Sequence, residues 1–392
     1  MHKFDVAIIG GGAAGLACAV SLKKFAPSLS VAIVEAGARL GKKLAATGNG
    51  QGNVSNTDMS PCHFHGSFAP LAARLCREYD VLGLFDSLFT SDKSGKIYPS
   101  GKQASSLSDC LIRKVGLSGA EVFLNSKVTG VGGGFSLSLS DGKKLAANRV
   151  VLAAGGCAQK QFLTDGNAFN LARSMGHSVT PLYPSLVQLK TDTTYIKTLK
   201  GIRTECNLSA FSSDGALIAR SQGDVIFTDY GVSGNAVFGI SSHIADLKDV
   251  TISIEFLPEF TREEVLENMR KKQSLGYEYS ELLSGSLHNQ TGRAIMRRAD
   301  GAPLERAAEL VKDFTLKVTG SLGFDYAQVT KGGVPFSEVN ENLESKLKKG
   351  LYLVGEVVDL DGDCGGYNLT WAFSSGMHAA AAIAKESSKE GA

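Results

Sequence analysis

Apolar positions along this chain follow two patterns, and the change between them divides it. Unbroken apolar runs occur at Val6 to Ile9, Val31 to Val34, Val150 to Ala154 and Leu351 to Val354, each followed by glycine or an acid. Short runs of this kind predict strands buried on both faces, as in a parallel sheet. From Leu186 to Leu257 the texture changes to short alternating stretches, with Asp214-Gly215 marking a hairpin and Ile252 to Phe256 a strand. Glu121 to Val131 also reads as a strand, and Asp141-Gly142 turns a hairpin into Arg149 to Gly156.

Helical periodicity is expected over Ala13 to Leu22, Ala69 to Leu88 and Ser105 to Val115. Thr261-x-x-Glu264 is a capping box opening a helical region, and a further helix runs from near Pro303 to near Leu316. The last helix is expected from about Leu369 to Lys385, with Ala372, Gly376 and Ala380 forming one small face. Because the first texture returns at the end, the N-terminal domain is split. Residues 1–185 and 335–392 embrace a β-rich insert (186–257) and a helical insert (258–318), and 319–334 returns through the β-rich part.

The first apolar run leads into Gly10-Gly11-Gly12-Ala13-Ala14-Gly15, and the second ends at Glu35-Ala36. Strand, Gly-x-Gly-x-x-Gly, helix, second strand and acid at this spacing predict a dinucleotide site. Gly10 makes the turn, Gly12 lets backbone approach a pyrophosphate, and Gly15 lets helix and strand touch. The free N–H groups of the helix start face the phosphates, and Glu35 accepts from a ribose. The Gly- and Asn-rich stretch from Thr47 to Asn56, beside Lys42 and Lys43, suits a loop wrapped on a ligand.

Length and composition fit an enzyme of two or three domains: 392 residues, 41 basic against 39 acidic. That balance offers no global electrostatic case for nucleic acid, and Arg270, Lys271, Lys272, Arg293, Arg297 and Arg298 read as a solvated face. No apolar run approaches a membrane span, and the first strand begins almost at Met1, so a cytoplasmic protein is expected. Seven scattered cysteines form no C-x-x-C pair. His63-x-His65 reads as a loop with two exposed histidines, and no metal is expected.

Three features turn the dinucleotide reading toward FAD. Ala153-Ala154-Gly155-Gly156 resembles the second glycine-containing strand of two-dinucleotide-fold flavoproteins, and Gly355-Glu356 resembles their terminal Gly-Asp. Gly365-Gly366-Tyr367-Asn368 precedes the last helix, whose donors would stabilise a reduced flavin. Over nearly its whole length the chain resembles the bacterial FAD-binding oxidoreductases that include bile-acid reductases of BaiN-like type and aminoacetone oxidases. The resemblance rests on Gly41 to Asn56, Gly176 to Leu186, Phe227 to Gly234, Gly332-Gly-Val334, Gly355 to Asp359 and Gly365 to Asn368. The chain departs from the family pattern at Gln51-Gly52, Asp229, Asn235 and the Cys157 to Thr164 loop.

The resemblance implies an α/β fold: a discontinuous Rossmann-like two-dinucleotide-fold FAD domain with an inserted β-barrel-like domain and a small helical domain. It implies that Gly10, Gly12, Gly15 and Glu35 hold the ADP part, with Ala13, Ala14 and Ala36 beside them, and that the Val128 backbone meets adenine. Lys43, Thr47, Gly48, Asn49 and Asn53 would line the flavin side. Ala154, Gly155, Gly355, Glu356, Asp361, Gly366, Tyr367, Asn368 and Leu369 would hold the rest, ribityl and pyrimidine included. A second Gly-x-Gly-x-x-Gly after a strand is missing from the sequence, so NADH or NADPH would dock transiently as electron donor. The expected reaction is hydride transfer through flavin N5 to an activated C=C bond of an apolar small molecule. A flavin amine oxidase using oxygen is an alternative, and an FAD-bearing RNA-binding or RNA-modifying protein is another. No catalytic acid or base, and no oligomeric state, follows from the sequence.

Overall fold

A computed structural model describes residues 2–390 and resolves into two compact units, 1–183 with 329–392, and 184–328. The first unit is built on a mixed sheet. Its strands are β1 (His2–Ile9), β2 (Val31–Val34), β3 (Glu121–Phe123), β4 (Val128–Val131), β5 (Ser136–Leu139) and β6 (Lys144–Leu152), in the order β3-β2-β1-β6-β5-β4. β1 lies parallel to both β2 and β6, with Ile9 opposite Val34 and Leu152, and the strand Leu351–Leu353 also runs parallel to β6. The apolar runs are the interior of this sheet, and Val6, Ile8, Ile33, Val150 and Leu353 are fully buried.

Four helices belong to the first part of this unit: α1 (Ala13–Phe25), α2 (Ala69–Glu78), α3 (Ala104–Leu117) and α4 (Asn167–Ser174). The C-terminal helix, Tyr367–Glu390, packs along α1. The small face expected on it has a specific use. A methyl at Gly376 would collide with the Ala14 carbonyl oxygen and crowd the Cys18 amide, so glycine sets how closely the two helices approach.

In the second unit, strands 189–191, 231–233, 217–227, 203–211, 251–255 and 314–321 pair in that order into a closed barrel. The Asp214-Gly215 hairpin joins two of them, with Gly215 at φ +84. Helices α5 (Asn235–Ser241), α6 (Arg262–Ser274), α7 (Asn289–Arg298) and α8 (Leu304–Lys312) belong to the same unit as the barrel. Their apolar faces join the barrel's own core: Met269, Ile295 and Val311 cluster with Ile252, Ile254 and Phe314. The capping box forms as read, since Thr261 Oγ1 accepts from the Glu264 amide (3.1 Å) and Glu264 accepts from the Thr261 amide (2.7 Å).

Several elements differ from the pattern-based reading. Glu121 to Val131 is not one strand but β3 and β4, at opposite ends of the strand order; Asn125 takes φ +51 between them, which an extended strand cannot accommodate. The helix expected to reach Leu88 ends at Glu78, where Tyr79 turns extended. The helix from Pro303 stops at Lys312, and Phe314–Ser321 instead closes the barrel. In the Gly- and Asn-rich stretch the chain makes 3₁₀ turns over Leu44–Gly50, broken at Thr47, Gly48 and Asn49.

Candidate functional site

The first unit gathers the glycine signals at the carboxyl ends of β1 and β6. Gly10 has φ +104, and a side chain there would strike Ala153 and Ala154; one at Gly15 would strike the Gly10 carbonyl. Gly12 is different, since nothing lies within 4 Å of where its Cβ would stand. Gly10 and Gly15 are thus closed by the protein itself, and Gly12 presents an open backbone. Gly12 caps α1 without a side-chain bond, and the N–H groups of Gly12, Ala13, Ala14 and Gly15 have no acceptor among the described residues. Unpaired donors at a helix start are a ready anion site.

Glu35, at the end of β2, holds both sides of this opening. One carboxylate oxygen accepts from the Gly11 amide (2.8 Å) and the other from the Gly37 amide (2.7 Å). The remaining lone pairs can take ribose hydroxyls, and Ala36 follows half-buried. The Val128 carbonyl already accepts from Asn167 Nδ2 (2.9 Å).

A second cluster adjoins the C-terminal strand. Lys43 pairs with Glu356 (2.9 Å), whose other oxygen accepts from the Thr330 amide (2.8 Å). Gly355 takes φ +71 and packs against Ala14, and Gly155 takes φ +74. Thr47 turns its hydroxyl to the Leu44 carbonyl, Asn49 is left-handed, and Asn53 donates to the Ser55 and Ile97 carbonyls. Thr47 and Asn53 thus shape the loop with their side chains, and Gly48 and Asn49 are exposed. Gly366 packs so closely on the Ser55 carbonyl that no Cβ fits. Asn368 clamps Gly362 through both its amide (2.9 Å) and its carbonyl (2.7 Å). The N–H groups of Gly366, Tyr367, Asn368 and Leu369 have no acceptor among the described residues, and buried Asp361 lies on the adjoining two-residue strand Asp361–Gly362.

The histidine pair corrects the sequence reading. His63 and His65 are half-buried, and both bond one carboxylate: His63 Nδ1 to Asp363 Oδ2 (2.9 Å) and His65 Nε2 to Asp363 Oδ1 (2.9 Å). Asp58 completes the set at His63 Nε2 (3.2 Å). Asp58 was legible five residues from His63; Asp363, far along the chain, was not. Tyr367 stacks on His63 with centroids 4.4 Å apart and meets Phe64 edge-on. Burial first, then Asp58 and Asp363, push the Tyr367 phenol up. Burial pushes the Cys157 thiol up, helped by Glu356. Burial alone would lower His65, but its bond to Asp363 and the charges of Asp361 and Asp363 outweigh that and raise it. A cavity of about 960 Å³ lies elsewhere, on the polar outer face of the barrel around Asn207, Arg220, Glu255 and Lys312, and includes none of these residues.

A parallel strand ending in an uncapped helix start, an acid on the neighbouring strand and a second donor-rich helix start define a Rossmann-type flavoprotein. The chain belongs to the HI0933-like family, whose Rossmann domain matches residues 4–382. It is 34% identical to a 3-dehydro-bile acid delta(4,6)-reductase of Clostridium scindens, covering 97% of this chain and 99% of that one. It is 26% identical to a ribosomal RNA dihydrouridine synthase of Escherichia coli, over 96% of each. Among solved structures, a quinol fumarate reductase of E. coli matches at TM-score 0.52 and 16% identity, covering 100% of this chain and 72% of that one. A 3-ketosteroid delta1-dehydrogenase of Sterolibacterium denitrificans matches at TM-score 0.50 and 12% identity, over 98% and 100%. These last two share the fold. The protein is an FAD-dependent oxidoreductase. Among the described residues no helix is long and apolar enough to cross a membrane.

Proposed function

We propose that the protein reduces a C=C bond conjugated with a carbonyl in an apolar small molecule, with NADH or NADPH as electron donor. The observation that carries this reading is the end-to-end similarity to a delta(4,6)-reductase. The dihydrouridine synthase relative points to the same chemistry, because making dihydrouridine also saturates a C=C bond beside a carbonyl. The donor-rich turns fit FAD: the Gly12 to Gly15 amides would hold the pyrophosphate and Glu35 the ribose. Lys43, Glu356 and Asp361 would meet the flavin side, and the Gly366 to Leu369 amides its pyrimidine edge. When bound, the flavin supplies hydride chemistry; the chain holds, orients and supplies protons.

Anaerobic NADH titration of the FAD-loaded protein tests the reading, followed by addition of an enone. Bleaching of the flavin band and its return with the enone are the expected results. No bleaching with NADH or NADPH, together with peroxide formation from an amine, would replace the reductase by an oxidase. A second reading, uridine in RNA as acceptor, has the dihydrouridine synthase similarity behind it. Salt-sensitive RNA binding by this protein is the result that would favour it over the apolar substrate.

A further inference from the structure

The loop between β6 and α4 includes Cys157 to Thr164, one of the stretches where the chain departs from its family pattern. Two of its side-chain-bearing residues, Gln159 (φ +63) and Leu163 (φ +65), take the left-handed backbone that suits glycine. Leucine is the stranger of the two, because it has no polar atom with which to bond its own backbone in that conformation. Leu163 is also 48% exposed, so burial in the core does not offset the strain. A strained position of this kind, in a loop at the end of a sheet strand, points to a function for the side chain it aims.

Its neighbours say which function. Leu163 Cδ1 stands 3.4 Å from where a Cβ on Gly37 would be, and the Gly37 amide donates to the Glu35 carboxylate (2.7 Å). The leucine therefore covers the corner that Glu35 borders. The loop that carries it is tied down: Thr164 donates to the Gln159 carbonyl (2.9 Å), Lys42 reaches the Gln161 carbonyl (3.2 Å), and Asp165 pairs with Lys127. A nucleoside base hangs from the carbon next to the one that bears the ribose 2′-hydroxyl. A ribose bonded to Glu35 thus brings its base to the walls of this corner, where Leu163 offers an apolar surface to a flat ring.

We infer that Leu163 is a specificity-determining residue for the adenosine end of FAD, covering a face of the adenine, and that its left-handed backbone is retained because it sets the side chain against Gly37. The inference rests on the reading of Glu35 as the ribose partner.

Flavin release from the full-length holoprotein tests this, followed as the return of FAD fluorescence on dilution. Leu163→Gly should release FAD about tenfold faster, the scale of losing a leucine's apolar contact, whereas Leu163→Met should stay within about twofold. Gln159→Gly, which relieves the other left-handed residue of the loop, should also stay within about twofold, because no apolar contact is lost. A second measurement reports on the adenine itself. Holoprotein loaded with etheno-FAD should show stronger acrylamide quenching of the etheno-adenine emission in Leu163→Gly than in the unaltered protein. Thermal melting of the flavin-free chain separates a structural role: glycine suits the left-handed backbone, so the Leu163→Gly midpoint should lie at or above the unaltered one. Should the flavin-free chain not fold, the quenching decides. Unchanged release in Leu163→Gly overturns the inference, and so does faster release with unchanged quenching, which makes the leucine structural. If Glu35→Ala releases FAD no faster than the unaltered protein, the ribose reading fails and the role of Leu163 falls with it.

Discussion

Glu35 ties the fold together at the opening where the ribose is proposed to bind. Both its oxygens hold backbone amides that border the opening before α1, so Glu35→Ala removes two acceptors as well as the proposed ribose partner. FAD retention should weaken by about 1.5–3 kcal/mol, the scale of charge-assisted hydrogen bonds, and Glu35→Gln should lose less; fluorescence titration of released flavin measures both. Cysteine reactivity is a second test at this scale. Burial pushes the Cys18, Cys76 and Cys206 thiols up to about 12, whereas Cys62 is exposed. Mass spectrometry after brief alkylation should find Cys62 modified in the native protein and those three only after unfolding. The histidine pair shows the limit of reading residues singly. His63 and His65 looked like exposed loop residues because the carboxylate that joins them comes from the other end of the chain.

Contacts between elements depend on a few positions where no side chain is tolerated. Gly376→Ala would press a methyl onto the Ala14 carbonyl, which cannot turn aside as a flexible side chain would. The expected cost is about 1–3 kcal/mol of overpacking, and because Ala14 lies in the first turn of α1, FAD retention should fall with it. Thr261→Ala removes the cap of α6 and should cost about 1 kcal/mol by thermal melting, without changing FAD content, since α6 lies in the barrel unit. The elements legible in advance were those with strong local signals: β1, α1, β2, the two Asp-Gly hairpins and the capping box. The misreadings fell where local pattern is ambiguous. Phe314 to Ser321 reads equally as the continuation of a helix or as a strand, and only the neighbours 189–191 and 251–255 select the strand.

Each of the two units has its own apolar core, and the FAD signals fall in only one. Calorimetry with added FAD should therefore raise the unfolding midpoint of the transition belonging to the first unit, through a stabilisation of about 2.7 kcal/mol at a hundredfold excess over Kd. Acid should act on the same unit. Partial burial raises Glu338, but bonds from Ser178 and His177 outweigh it and hold its carboxyl below the usual range. A lowered folded value means this contribution is present above the unfolded value near 4.5 and is lost as pH falls through the folded one. Glu338→Gln should be less stable at neutral pH and show a flatter loss below about pH 4.5 in urea titrations.

By itself the sequence determined the dinucleotide turn, the acid at the end of β2, the buried parallel strands and the break between the two textures. Each of these is written in residues close along the chain, where backbone sterics and strand or helix period act directly. Only the tertiary structure decided which strands are neighbours, that the helices share a core with the barrel, and that Lys43 meets Glu356 and His65 meets Asp363. Those pairings join segments roughly three hundred residues apart. They form because folding of the split unit brings its two chain segments together, and no local pattern carries that information.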